Sequence, residues 1–182
     1  MTEPTVRAAT VDDAPAIADI HIRSWQHTYR GIVPDRILDG FDLERRTSSW
    51  RERLTAELAD PGIERRTWVV ERDDVVVGVA ATGPTQPEGL PPRTGELILI
   101  YVAPEALGRG NGRLLMEHLT RDLVERGFAP LILWVLEAND RARRFYEMGG
   151  WRTDGASQPI DFDGTAVDEI RYRLDPTGTN LP

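Results

Sequence analysis

The chain has 182 residues, 40% of them apolar, and a formal net charge of −8. That length suits one domain with a sizeable core. The acidic balance argues against nucleic acid or an anionic membrane as the main partner, and it is compatible with a cationic amine substrate.

Cysteine and lysine are both absent, so disulfides, thiolate metal sites, a cysteine acyl-enzyme and lysine Schiff-base chemistry are excluded. All 22 basic residues are therefore arginine, a usage that fits a GC-rich bacterial genome. No apolar run approaches the roughly 20 residues that span a bilayer. The N-terminus carries neither the basic region nor the apolar core of a signal peptide, so a cytoplasmic location is expected. His21, His27 and His118 lack the i, i+4 spacing of a helical metal pair, so no metal site is expected.

Taken in chain order, residues 6–9 read as a short first strand. Thr10 is a good N-cap, and Asp12 and Asp13 suit the positive end of the helix dipole. Ile17, Ile20 and Trp25 mark an amphipathic helix ending near Gly31, and Pro34 starts a second helical stretch. Residues 43–58 predict a strongly charged helix with Trp50 and Leu54 on its apolar side. Residues 67–71 and 75–81 predict a hairpin across Arg72, Asp73 and Asp74, and residues 83–92 a Pro-rich loop.

An apolar strand pattern over 97–102 then runs through Ala103-Pro104-Glu105 into Leu107-Gly108-Arg109-Gly110-Asn111-Gly112-Arg113, which opens a helix at 114–119. Alternating glycines leave backbone N–H groups unshielded. At a helix N-terminus they form a phosphate or pyrophosphate site, although a tight strand-to-helix turn also needs glycine for structural reasons alone. The run is neither a P-loop nor a dinucleotide fingerprint: no Lys-Ser or Lys-Thr follows, and Arg113 or Leu115 stands where the third glycine would be required. Residues 131–136 predict a buried strand. After them come Asn139 and a helix carrying Ala142, Phe145 and Tyr146, then Gly149-Gly150-Trp151. A terminal strand pair is expected at Trp151-Arg152 and 166–174. There are no internal repeats.

The order strand, G-x-G turn, helix, strand, N-x-x-A-x-x-F-Y and Gly-Gly-aromatic resembles the GNAT superfamily of acetyl-CoA-dependent N-acetyltransferases, with its core match over residues 95–152. The resemblance implies an α/β (α+β) fold: a mixed, twisted six- to seven-stranded sheet with a central split, flanked by about four helices. One domain is expected over residues 4–176, with a disordered tail over 177–182. The implied reaction moves acetyl from acetyl-CoA directly to a primary amine of a small molecule or peptide, releasing coenzyme A. The rival readings are a catalytically silent acyl-CoA sensor and an interaction domain on the same fold. Homodimerisation is left open.

The resemblance also distributes roles. Coenzyme A pyrophosphate is expected on the backbone amides of Gly108, Arg109, Gly110, Asn111, Gly112 and Arg113, with the two arginines adding charge-assisted contacts. Leu107 replaces the family's usual Gln or Arg, which weakens that grip modestly. The pantetheine arm pairs along Ile100, Tyr101 and Val102, and the Val102 amide is the oxyanion donor. Asn139 contacts the cofactor or simply caps its helix. Tyr146 is the general acid toward the coenzyme A sulfur, or a core aromatic. Glu96 is the general base, or a strand-start glutamate facing solvent, in which case the proton leaves through ordered waters. Trp25, His27 and Tyr29 wall the acceptor pocket, with core packing as the alternative for Trp25.

Overall fold

The structure is a computed structural model that describes residues 3–60, 62–85 and 89–176; the expected tail over 177–182 and part of the Pro-rich loop lie outside the described residues. Strand β1, Thr5–Ala8, leads into a short 3-10 turn at Val11–Asp13, and helix α1 follows over Ala14–Thr28. Asp13 makes this junction: its carboxylate accepts the Thr10 N–H at 2.7 Å and hydroxyl at 3.0 Å, and it pairs with Arg7 of β1 at 2.7 Å. Thr10 thus caps a 3-10 turn, and α1 begins three residues later than a cap at Thr10 implies.

Pro34 precedes the short helix α2, Asp35–Asp39, where its fixed φ suits a helix start. Helix α3 runs over Leu43–Ala59, its first turn closed by Asp42 Oδ1, which accepts the Arg45 N–H at 2.8 Å. Trp50 and Leu54 are its buried residues, as the periodicity predicts.

Strands β2, Arg66–Arg72, and β3, Val75–Thr85, form the expected hairpin, with Asp73 and Asp74 both at positive φ in the tight turn. β3 continues through residues 83–85, which composition assigns to a loop, because Thr85 to Gly83 pair with Thr94 to Glu96. Strand β4 accordingly starts at Thr94 and ends at Val102. A 3-10 turn at Pro104–Ala106 leads to helix α4, Asn111–Glu125. Strand β5, Leu131–Leu136, and helix α5, Asp140–Met148, fall where the pattern puts them.

The largest correction lies at the C-terminal end. Strand β6 spans Arg152–Phe162, not two residues, and forms a long hairpin with β7, Thr165–Leu174, across Asp163-Gly164. Its residues are mostly exposed, since β6 is an edge strand, and so it lacks the apolar signature of a core strand.

The seven strands form one mixed sheet in the order β1-β2-β3-β4-β5-β7-β6, and only β4 and β5 are parallel. Their pairing covers two registers, Gly95 with Leu131 and Glu96 with Ile132. A bulge opposite the Ala81/Thr82 step places Ile98 as the extra residue of β4. Bulges bend the strand that carries them, and β4 and β5 diverge beside this one. The sheet is therefore split at its centre. On one face, α4 and α5 cover a core built around Leu115, Leu119, Leu133, Trp151 and Tyr172. On the other face, α1 and α3 cover Ile17, Ile20, Trp50, Leu54 and Val79. A third, smaller cluster of Val33, Leu38 and Leu136 gathers Trp25, Tyr29, Phe41 and Phe162 at the open end of the split.

His21 of α1 is buried beneath Tyr101, with ring centroids 4.8 Å apart, and its Nδ1 has no hydrogen-bond partner. Burial first, then the charges of Arg46 and Arg53, push its pKa from 6.5 down to about 3. The unfolded chain therefore takes up the proton first. The stability held by neutral His21 is complete above 6.5 and is lost as pH falls toward about 3. In urea unfolding between pH 6.5 and 5, the protein should lose up to about 1.4 kcal/mol per pH unit relative to His21→Gln, because His118 and Glu169, which burial also shifts, are common to both. Equal slopes in the two would show that His21 titrates normally.

Candidate active site

The split holds a cavity of about 780 Å³, with Glu96 to Val102 of β4 on one wall and Trp134 to Leu136 of β5 on the other. The β4 wall is an unpaired strand edge. Ala103 donates its N–H to Val77 of β3 at 2.9 Å, so strand alternation turns the N–H groups of Ile100 and Val102 away from β3, into the split. The Val102 carbonyl on that edge accepts the Ser24 hydroxyl at 3.0 Å, which ties α1 to β4. Nothing in the spacing of Ser24 singles it out.

The glycine turn closes one end of the cavity. Gly108 and Gly110 have φ of +74° and +81°, and no atom lies within 4 Å of where a Cβ would stand on either. Glycine is needed there for backbone conformation, and the space beside both positions is open. Gly112 already belongs to α4, with the Phe145 ring 3.5 Å from its missing Cβ. The first-turn N–H groups of α4 have no intrahelical acceptors, so they suit an anion.

Side chains in this turn divide unevenly. Asn111 is 1% exposed and faces inward, its Nδ2 donating to the Ala106 carbonyl at 2.9 Å. Its Oδ1 accepts Arg72 at 3.3 Å, and Arg72 also reaches the Arg109 carbonyl at 3.4 Å. Arg72 and Asn111 thus strap the turn in place, and neither side chain lines the cavity. Arg109 is exposed and also lies outside the lining, whereas Arg113 lines the mouth and pairs with Glu117 at 2.6 Å. The hairpin-end Arg72 has no motif to mark it.

Tyr146 opens into the cavity from α5 and is 8% exposed, its ring packed on Phe145 and Tyr172 at 5.4 and 6.2 Å. Burial first, then the neighbouring Tyr101, pushes its pKa far above the ordinary phenol range, so its proton is firmly held. Asn139 Oδ1 accepts the Ala142 N–H at 3.1 Å, which makes it the cap of α5, and its side chain also bonds Tyr29. Burial drives the Tyr29 pKa upward as well.

At the other end, Trp25 and Tyr29 line the cavity. Trp25 donates to the Tyr101 hydroxyl at 2.9 Å and packs edge-on against Tyr29, Phe41 and Phe162. His27 does not join them: two residues on from Trp25, it falls on the outer face of α1 and is exposed. Glu96 is half-buried and lines the cavity. Opposite stands Glu169 of β7, 9% exposed, which accepts Gln158 Nε2 at 2.5 Å. Burial first raises its pKa, and the charge of Glu96 adds to this despite the Gln158 bond. The sequence reading passed over Glu169; the sole clue was its place on the same strand face as Val167. Among the described residues, no group of three His, Cys, Asp or Glu side chains is placed to hold a metal ion. No described helix is long and apolar enough to cross a membrane.

Comparison with known proteins agrees with this geometry. The model of the Acetyltransferase (GNAT) family matches residues 21–150. The uncharacterized N-acetyltransferase YuaI of Bacillus subtilis is 31% identical over 137 residues, covering 74% of this chain and 73% of its own. YncA from Salmonella typhimurium, solved with its cofactor acetyl-CoA, is 25% identical with a TM-score of 0.70, covering 96% of this chain and 94% of its own. The PaiA N-acetyltransferase of Thermoplasma acidophilum, solved with coenzyme A, shares the fold at 16% identity and a TM-score of 0.75, covering 93% of this chain and 98% of its own. The chain belongs to the GNAT family of acetyltransferases and is an N-acetyltransferase.

Proposed function

We propose that the chain transfers acetyl from acetyl-CoA directly to a primary amine of a small molecule or peptide, in a sequential reaction without an acyl-enzyme. One observation carries this reading. The split sheet presents an unpaired β4 edge between an open glycine turn at one end and a carboxylate- and aromatic-lined chamber at the other. Such a space lets a thioester-bearing arm laid along β4 meet an amine held in the chamber.

The residues fit acetyl-CoA as co-substrate. Gly108, Gly110 and the first turn of α4 form an open anion cradle, with Arg113 at its rim. The N–H groups of Ile100 and Val102 are free to pair with the amides of an extended arm. Acetyl-CoA supplies an activated acyl group on a thiol leaving group. The Val102 N–H serves as donor to the oxygen that gains negative charge, and the Ser24 bond to the Val102 carbonyl fixes that segment.

Tyr146 serves as donor to the leaving sulfur. Free thiols titrate near 8.5 and phenols near 10. Burial lifts Tyr146 further, so it stabilises the thiolate chiefly by hydrogen bonding from a proton it holds at every working pH. Glu96 assists removal of the amine proton, directly or through water. Two such groups opening into the cavity support an enzyme over a silent acyl-CoA sensor.

Three outcomes follow. Gly110→Asp forces a side chain onto a left-handed backbone and sets a carboxylate at the cradle, so calorimetry should show acetyl-CoA binding weakened at least about tenfold. Unchanged affinity in the folded variant removes the glycine turn from the binding site. Tyr146→Phe keeps the ring packing and should lower kcat by about a hundredfold with acetyl-CoA affinity nearly intact, whereas Glu96→Gln should cost most at low pH, where the amine most needs a base. Retention of more than about half the activity in Tyr146→Phe assigns that residue to packing. Finally, intact-mass measurement after incubation with acetyl-CoA alone should show no stoichiometric acetyl adduct; an adduct that an amine then discharges overturns direct transfer.

A further inference from the structure

Glu169 has no part in the reaction as set out, yet it is the most deeply buried carboxylate of the cavity wall. It sits on β7 opposite Leu136 of β5, while Glu96 sits on β4 opposite Ile132. The two are thus offset by four residues along the strand direction, or about 13 Å, and stand on strands separated by β5. Both side chains line the same chamber, and the charge of Glu96 acts on Glu169.

Among the described residues, no arginine or histidine pairs with either carboxylate. Arg171, on the same face of β7, lies over the Trp134 ring at 5.6 Å and is committed to Asp154 at 2.8 Å. The arginines that do line the cavity, Arg113 and Arg141, stand on the first turns of α4 and α5. Around the carboxylates the wall is aromatic instead: Trp25, Tyr29, Trp134 and Phe162. Aromatic faces attract ammonium groups, most strongly when desolvated. A buried carboxylate without a counter-charge is costly, and a single ammonium answers only one of the two.

We propose that Glu169 is a specificity-determining residue that holds a second cationic nitrogen of the acceptor, making that acceptor a diamine or longer polyamine and not a monoamine. This deepens the acetyl-transfer reading above and rests on it. The nitrogen that reacts must lose its proton, whereas the far nitrogen keeps its charge throughout and is bound alike before and after transfer. Its contribution therefore falls on KM more than on kcat.

The experiment compares tetramethylenediamine with pentylamine, which match in length and differ in the far nitrogen, by thiol release from acetyl-CoA on the full chain. The diamine should have a kcat/KM at least about tenfold higher, carried mostly by KM. Glu169→Gln should collapse that ratio toward one, and Glu169→Asp should restore part of it. A ratio near one in the unaltered protein overturns the proposal. So does a ratio that survives Glu169→Gln, including the case where both amines slow equally, which makes Glu169 a base and not an anchor. If neither amine releases thiol, the acetyl-transfer reading fails for these acceptors, and calorimetry of the diamine on the coenzyme A-loaded protein decides the matter of Glu169. Binding that weakens in Glu169→Gln upholds the anchor, and no binding at millimolar diamine overturns it.

Discussion

The molecule is organised around a hydrogen-bond ladder that stops. β4 and β5 pair over two registers and then part, so an interior strand carries a free edge at the centre of a seven-stranded sheet. Unpaired backbone N–H and C=O groups inside a protein are costly. Part of that cost is met from within, where Ser24 takes the Val102 carbonyl. The N–H groups of Ile100 and Val102 are left for a ligand that can present amides of its own. The split also makes room for the cavity, and every site residue matters through its position relative to that edge.

The groups on the cavity wall are tuned by burial more than by partners. Tyr146, Tyr101 and Tyr29 all have their pKa values raised chiefly by desolvation, which keeps them protonated donors. Glu169 is shifted in the same sense for the same reason. His21, behind Tyr101, is held neutral by burial and by two nearby arginines. Protonated tyrosines on a buried wall strengthen any negative charge that a substrate brings or develops there. At the glycine turn the design differs: its open surface is backbone, and the side chains of Arg72 and Asn111 hold it in shape.

Much of the fold was legible because local rules and tertiary demands agree. Asp73-Asp74 at positive φ, Trp50 and Leu54 on one face of α3, and the glycines before α4 all sit where pattern puts them. Failures came where packing outvoted pattern. Residues 83–85 carry Gly and Pro yet lie in β3, because β4 is there to pair with them. β6 is polar and exposed, so no apolar alternation betrays it, although the Asp163-Gly164 pair at its end is a hairpin signal. His27, two residues on from Trp25, lies on the outer face of α1, since neighbours in sequence on a helix point in different directions.

The sequence by itself determined the order of elements, the glycine turn at a helix N-terminus, the absence of a thiol nucleophile and the N-x-x-A-x-x-F-Y run that ends in Tyr146. These are contiguous features: the turn's affinity for an anion follows from its glycines at a helix N-terminus, and the role of Tyr146 is what the family resemblance implies. Only the tertiary structure decided that β7 lies between β5 and β6, that a bulge at Ile98 sits beside the divergence of β4 and β5, and that Glu169 therefore opens opposite Glu96, 73 residues away in the chain. Strand order and divergence are set by the sum of long-range contacts across the sheet, and no local stretch of residues encodes them.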